Sequence, residues 1–409
     1  MTAWIHQTEH RDWLSAEFNR LLTFGRLSAR PGGGAFMLDA DGRPEPDSPL
    51  ATYHTARVAH AYGLGTLAGI PGARAIAQAV FDGLRGPLRD PEHGGWFHEA
   101  TADGPTDDSK SAYDHVHVLL AASTATHAQL DGADEVLAEV VRVIDDKYFD
   151  PTLGLLRDGY DRAFVSADSY LGANANMHGV EGMLAAFDAT GDRIWLERAL
   201  GMTRFFVARA AEHNWRLPEH YTADAGTLLD YNIEAPDDPF KPYGATIGHA
   251  LEWSRLILHL EAALEASGMP GGETLPDAAV QLFDRAVADG WAVDGADGFV
   301  YTTDFSGVPV TRERLWWVVS EGVCAAAALG RRTGEARFDR HYGQWWDYLD
   351  AYVLDRERGS WHHSLTVENQ PDTGIWSGKP DLYHTVQATL IPRLPLYPGL
   401  AKAVADGHL

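Results

Sequence analysis

One cysteine, Cys324, is all that 409 residues contain, so a disulfide framework is excluded, and with it any metal site built on CxxC pairs. Cationic side chains are scarce as well. There are 33 Lys and Arg against 58 Asp and Glu, a formal charge of −25. A surface of that sign repels nucleic acid and anionic membranes at long range and favours a neutral partner. No apolar run reaches the roughly 18 residues that a membrane span needs. The opening MTAWIHQTEHRDWL lacks the basic and then apolar stretches of a secretory signal. A cytoplasmic protein that meets neither nucleic acid nor membrane is expected. Phosphate-cradling loops are also missing. No Walker sequence occurs, and Gly32, Gly33 and Gly34 have neither a preceding strand nor a following Lys, so they read as a turn.

What the chain does have is apolar material, at 45% of residues, and repetition. A polar residue, three spacers, a glycine and then apolar residues recur as Asp90 to Gly94, Asp150 to Gly154, Asp294 to Gly298 and Asp355 to Gly359. Weaker copies run from Arg30 to Gly34 and from Thr222 to Gly226, so the first positions step by 60, 60, 72, 72 and 61 residues. Each copy reads as a tight turn entering a short extended run. Two segments of helical periodicity separate consecutive copies. The first of each pair, at 52–68, 110–126, 174–190, 243–266 and 312–330, is rich in Ala, Gly and Leu, as a helix crowded on all sides must be. The second, at 74–88, 133–147, 194–212, 275–290 and 336–353, carries charge along one face. Lone helices at about 10–26 and 381–393 bring the count to twelve and make the sixth, closing pair. The pattern predicts an all-α fold, an (α/α)6 barrel of six inner and six outer helices with short β-hairpin loops at one end, spanning residues 1–409 as a single domain. An open solenoid is the alternative.

The unusual polar residues collect on the starts of the inner helices. They are Tyr53, His54 and Arg57; Lys110, Tyr113, His115 and His117; Asn174, Asn176 and His178; His249 and Glu252; Arg314, Trp316, Trp317 and Glu321; and Lys379, Asp381, Tyr383 and His384. Histidines that merely pack would scatter along the helices. His249 and Glu252 share one helix face, so the carboxylate can orient the imidazole for acid–base work near neutral pH. His384 is placed to act across the same cavity. Arg57 and Lys110 are candidates to stabilise an oxyanion. Trp317, Trp316, Tyr113 and Trp361 supply planes of the kind that pack on the C–H face of a sugar. No HExxH or equivalent ligand spacing occurs, and no metal or other cofactor is expected.

The stretches KSAYDHVHVLLAAS, GANANMHGVEGMLAAFDATGD, KPYGATIGHALEWSRLI, RLWWVVSEG and GKPDLYHTVQA together resemble the N-acylglucosamine 2-epimerase superfamily, over about residues 50 to 395. Within it they look closest to the mannose isomerase and aldose–ketose isomerase branch. That resemblance implies the same barrel. It implies that His384 moves a proton between C2 and C1 of an open-chain sugar through a cis-enediolate. His249, held by Glu252, would open the ring. Arg57, Tyr113, Asn174, His178, Trp317, Glu321 and Asp381 match positions expected to line the sugar site. His117 departs from the pattern, since relatives tend to carry an apolar or aromatic residue there. The implied reaction is metal-independent interconversion of D-mannose and D-fructose, with D-lyxose and D-xylulose as a further pair. The implied partner is a small neutral monosaccharide, and the expected state a monomer or small homo-oligomer. Mannose–glucose 2-epimerisation uses the same two histidines and differs only in where the enediolate is reprotonated. A glycoside hydrolase on this barrel would need two opposed carboxylates, for which Glu252, Glu321 and Asp381 are candidates. A helical interaction protein would have no use for the gathered His, Arg and Trp.

Overall fold

In the computed structural model, which describes residues 3–409, the Ala-rich segments form the inner helices. They are α2 (Thr52–Leu67), α4 (Ala112–His127), α6 (Ala173–Thr190), α8 (Ile247–Ala266), α10 (Trp316–Thr333) and α12 (Tyr383–Leu390). Small side chains let each be covered on every side; in α10 all residues from Trp316 to Leu329 are buried. Outside them lie α1 (Thr8–Phe24), α3 (Ala73–Arg85), α5 (Ala133–Val143), α7 (Ile194–Glu212), α9 (Leu275–Gly290) and α11 (Ala336–Tyr348), apolar on the inward face and charged outward. Each inner helix packs on the next, and α12 packs on both α10 and α2. The ring is therefore closed, an (α/α)6 barrel rather than a solenoid. A short α13 (Leu400–Ala405) lies against α2, α4 and α6. Among the described residues, no helix is long and apolar enough to cross a membrane.

Several inner helices begin later than their periodicity suggests. Lys110–Ser111, Ala245–Thr246 and Arg314–Leu315 are extended instead, pairing antiparallel with Gly159–Tyr160, Thr302–Thr303 and Ser364–Leu365 of the following unit. The first amide of each inner helix has no partner within its own helix. It donates to the next unit: Thr52 to the His98 carbonyl (3.1 Å), Ala112 to Asp158 (2.8 Å), Ala173 to Glu219 (2.8 Å), Ile247 to Tyr301 (3.1 Å) and Trp316 to His363 (3.4 Å). The Lys379 amide donates to Leu38 O (2.9 Å) and joins the last connection to the first. At its far end α12 stops at Leu390, because Pro392 has no amide hydrogen to continue it.

These carbonyls give the true register of the repeat, and it corrects one copy. The steps from His98 through Asp158, Glu219 and Tyr301 to His363 are 60, 61, 82 and 62 residues. The turn Thr222–Gly226 is real (N to O, 2.8 Å), but it corresponds to the second turn of other units, such as Asp39–Arg43 and Asp304–Val308 (both 2.9 Å). The first turn of the fourth unit lies at Ala210–Arg216. There Asn214 (φ 55°) and Trp215 (φ 66°) occupy the left-handed region that glycine fills elsewhere, which hid it from a search for Asp-x3-Gly. The extra length is residues 223–244, which return over the barrel mouth.

The turn aspartates are locked by cations from the start of the next inner helix. Lys110 Nζ meets Asp90 Oδ2 (3.1 Å) and Gly94 O (3.1 Å), Arg314 meets Asp294 (2.6 Å), and Lys379 meets Asp355 (2.5 Å) and Gly359 O (2.9 Å). Removing one partner of so buried a pair strands the other charge. Asp90 keeps Arg162 (3.0 Å) as a second cation, whereas Asp294 is paired by Arg314, so Arg314→Leu should lower the unfolding free energy by about 3 kcal/mol, read from urea denaturation. An unchanged midpoint would contradict the structural role of this pair.

Candidate active site

The mouth of the barrel opens on a cavity of about 260 Å³. This is below the roughly 300–1,000 Å³ of pockets for drug-sized ligands and suits something as small as a single sugar. Its walls bring together Arg57, Tyr113, Asn174, His178, His249, Glu252, Trp317, Asp381 and His384. Glu321, expected to line the site, lies one layer lower, fully buried beneath His384. Lys110, Arg314 and Lys379 are committed to the turn aspartates and do not reach the cavity. His115 and Asn176 satisfy backbone groups: the His115 ring accepts the Trp96 amide (3.1 Å), and the Asn176 side chain bonds both the amide and the carbonyl of Leu156 (2.8 and 3.1 Å). Trp361 is core, its indole N–H on Glu17 (2.9 Å), whereas Trp316 does line the cavity.

The two candidate bases have the same construction. His384 Nδ1 is 3.1 Å from Glu321 Oε1, and His249 Nδ1 is 2.9 Å from Glu219 Oε2. A carboxylate only accepts, so each Nδ1 carries the proton and each Nε2 presents a lone pair with no protein partner among the described residues. Both imidazoles pack against the indole of Trp317, with ring centroids 5.3 Å (His249) and 5.7 Å (His384) away. Only a glycine at 248 allows this, since a Cβ there would lie 2.2 Å from the Trp317 ring.

The helical spacing therefore misassigned the partner of His249. Glu252 faces the barrel axis, where Arg255 NH2 donates to its Oε1 (3.0 Å). Glu219 comes from the preceding connection. Its carbonyl, like that of His98, Asp158, Tyr301 and His363, receives the first amide of an inner helix, so its side chain is delivered to the mouth. The displaced register of the fourth unit concealed that equivalence.

Beneath the cavity, Arg255 is buried among three glutamates. Nε is 2.5 Å from Glu321, and NH2 reaches Glu252 (3.0 Å) and Glu181 (3.5 Å). Glu181 also accepts from Gln387 (3.2 Å), from the Tyr383 hydroxyl and, at 3.3 Å, from His178 Nδ1. Burial opposes ionisation of Glu181. The His178 hydrogen bond and the Arg255 charge overcome it and hold the carboxyl well below its ordinary range. Glu321 is likewise held low against burial, by Arg255 and His384. Glu252 goes the other way: burial, then the Glu321 charge, push its pKa well above the usual value, and its Oε2 has no partner. This shift favours its protonated form in the cavity floor. Arg255 thus lies between the two glutamates held low, Glu181 and Glu321. Neither Arg255 nor Glu181 was singled out from the sequence, although each interrupts an otherwise apolar helical stretch.

Arg57 bonds the Tyr113 hydroxyl (2.8 Å), His117 Nε2 (2.9 Å) and His178 Nε2 (3.3 Å). Asp381 accepts the Trp316 indole N–H (2.9 Å) and the amides of Tyr383 (3.1 Å) and His384 (3.3 Å), fixing the start of α12. Asn174 Oδ1 is buried without a partner. Over the top, Phe240 from the 223–244 segment meets Tyr53 (5.7 Å), Tyr113 (6.2 Å) and Trp376 (5.4 Å). Two groups, His178–Glu181–Glu252 and Glu252–Glu321–His384, bring potential metal ligands together. Their carboxylates already bond Arg255, so a cation there would have to displace a guanidinium.

Residues 33–388 match the sequence model of the family described as N-acylglucosamine 2-epimerase (GlcNAc 2-epimerase). The chain belongs to that family. It is 48% identical over 408 residues to a D-mannose isomerase of Thermobifida fusca, covering 99% of each chain. It is 43% identical over 406 residues to a D-mannose isomerase of Pseudomonas cannabina pv. alisalensis, covering 99% of this chain and 97% of that one. A crystal structure of a D-mannose isomerase superposes with a TM-score of 0.86 at 25% identity, covering 93% of this chain and 97% of that chain.

The charge assignment in the floor is testable through stability. Arg255→Leu should cost about 4 kcal/mol, since it leaves buried carboxylates uncompensated. Glu252→Gln should cost less than about 1 kcal/mol, because it replaces a neutral acid with a neutral amide. Equal losses in urea titrations would show that Glu252 is ionised.

Proposed function

We propose that this enzyme is a sugar isomerase that interconverts D-mannose and D-fructose, and D-lyxose and D-xylulose, by proton transfer through a cis-enediolate without a metal. The observation that carries the reading is the pair of imidazoles, His249 and His384, each held at Nδ1 by its own buried glutamate and each offering Nε2 to a sugar-sized cavity. The near full-length likeness to proteins named D-mannose isomerase supports the same substrate.

The steps follow from the groups present. His249 Nε2 exchanges a proton with the ring and anomeric oxygens, opening the pyranose to the aldehyde. His384 Nε2 then takes the proton from C2. The C2–H pair becomes the C1–C2 double bond, and the carbonyl oxygen takes the negative charge. Arg57 faces that oxygen as a cation fixed by three hydrogen bonds, and Glu252, in its protonated form, donates a hydrogen bond to the neighbouring one. Glu321 compensates the imidazolium created on His384. The O2 hydroxyl proton passes to O1, which moves the negative charge to O2. His384, after exchange of its proton with solvent, delivers a proton to C1 as the C2 carbonyl forms, which completes the ketose. Asn174 and Asp381 remain for the sugar hydroxyls, and Trp317 for a C–H face.

Incubation with D-mannose in D2O after EDTA treatment, followed by NMR, should give D-fructose with deuterium entering from solvent. Glucose in its place would make the enzyme an epimerase, and no turnover of any aldose would overturn the reading. Activity lost to EDTA and restored by a divalent ion would overturn the metal-free course. His384→Ala should lower kcat about 1,000-fold. Glu219→Gln should lower kcat about 100-fold with KM nearly unchanged; wild-type kcat in that variant would show that His249 needs no carboxylate.

A further inference from the structure

His117, at a position where the family resemblance implies an apolar or aromatic residue, does not line the sugar cavity. It lies behind the wall, 1% exposed, with its ring against Tyr113 (centroids 4.5 Å) and His178 (4.6 Å). Both nitrogens are used. Nδ1 is 2.7 Å from the Tyr113 carbonyl, which only accepts, so the proton is on Nδ1. Nε2 is then a lone pair, and it receives the Arg57 Nε–H at 2.9 Å. His178 repeats the arrangement, with Nδ1 towards Glu181 and Nε2 towards Arg57 NH2.

Both histidines and the Tyr113 hydroxyl are neutral acceptors, so a buried guanidinium is oriented by three hydrogen bonds and by no carboxylate among them. The consequence is electrostatic. A carboxylate in the place of His117 would give equal geometry and cancel much of the charge. An apolar residue would leave a buried N–H unsatisfied and the guanidinium free to swing. A neutral imidazole avoids both.

Taking Arg57 as the enediolate-stabilising cation of the reading above, we propose that His117 is a positioning residue, a dedicated neutral acceptor that aims Arg57 at the reacting oxygens without adding an opposing charge of its own. Burial, followed by the Arg57 charge beside it, holds the His117 pKa well below the usual value, which keeps the ring an acceptor.

Three variants at one position separate this from plain packing. His117→Phe keeps a ring and removes the acceptor, His117→Glu keeps an acceptor and adds a charge, and His117→Gln keeps a neutral acceptor. The readouts are kcat and KM for D-mannose and, by calorimetry, the affinities for two probes. One is D-arabinonohydroxamate, whose ionised form is shaped and charged like the enediolate, and the other is D-mannitol, which is neutral. His117→Phe and His117→Glu should each lose about 100-fold in kcat and a similar factor in hydroxamate affinity, with KM and mannitol affinity nearly unchanged. His117→Gln should restore both to within about threefold of wild type. Wild-type kcat and hydroxamate affinity in the Phe and Glu variants would overturn the proposal, as would a parallel loss for mannitol and hydroxamate. If the wild-type protein does not turn over D-mannose, the isomerase reading fails on its own, and the contrast between the two probes still decides the role of His117.

Discussion

Arg255 is a guanidinium taken out of water, and the catalytic end of the barrel is organised by what that requires. A buried cation must be paired, and it is paired by glutamates from α6, α8 and α10. Two of these glutamates then have a second duty. Glu321 holds His384, and Glu181 holds His178, which in turn holds Arg57. Glu252, the third carboxyl around one cation, is pushed towards its protonated form by burial and the Glu321 charge. The orientation of the imidazole and the aim of the cation both descend from one buried charge, whereas the upward shift of Glu252 comes from burial and from the Glu321 charge.

The backbone makes this possible by joining neighbouring units. The first amide of an inner helix ends on the next unit's connection, so every connection places a side chain beside the start of a neighbouring helix. At His98 that side chain meets Asp114 (2.7 Å), at Glu219 it meets His249, and at His363 it stacks on Trp316 (centroids 3.9 Å). One geometry serves different chemistry around the ring. The fourth connection is also the one extended by residues 223–244, so the segment that delivers Glu219 to the site also brings Phe240 over it.

Much of the fold was legible because it is local. The spacing of the turns, the Ala-rich inner helices and the charged outer ones follow from backbone preferences and burial within a few residues of chain, and they imply a closed ring once the odd terminal helices are counted. The cavity-lining residues were legible for the same reason, since they sit on helix starts that share one end. Errors came where a partner lies in another unit. Lys110 reads as free to meet a substrate until Asp90 is seen beside it, and Glu252 reads as the partner of His249 until Glu219 arrives from 30 residues away. Trp215 in a left-handed turn broke the pattern that would have pointed to Glu219.

By itself, then, the amino-acid sequence determined the barrel, the end at which chemistry collects, and the two histidines that would perform it, because helix periodicity and turn composition act over short stretches. Only the tertiary structure decided which carboxylate serves which imidazole, which cations remain available, and which glutamate is shifted upwards. Those outcomes rest on pairings such as His384 with Glu321, 63 residues apart, and Gln387 with Glu181, 206 apart. Their electrostatics exist only once water has been excluded from around them.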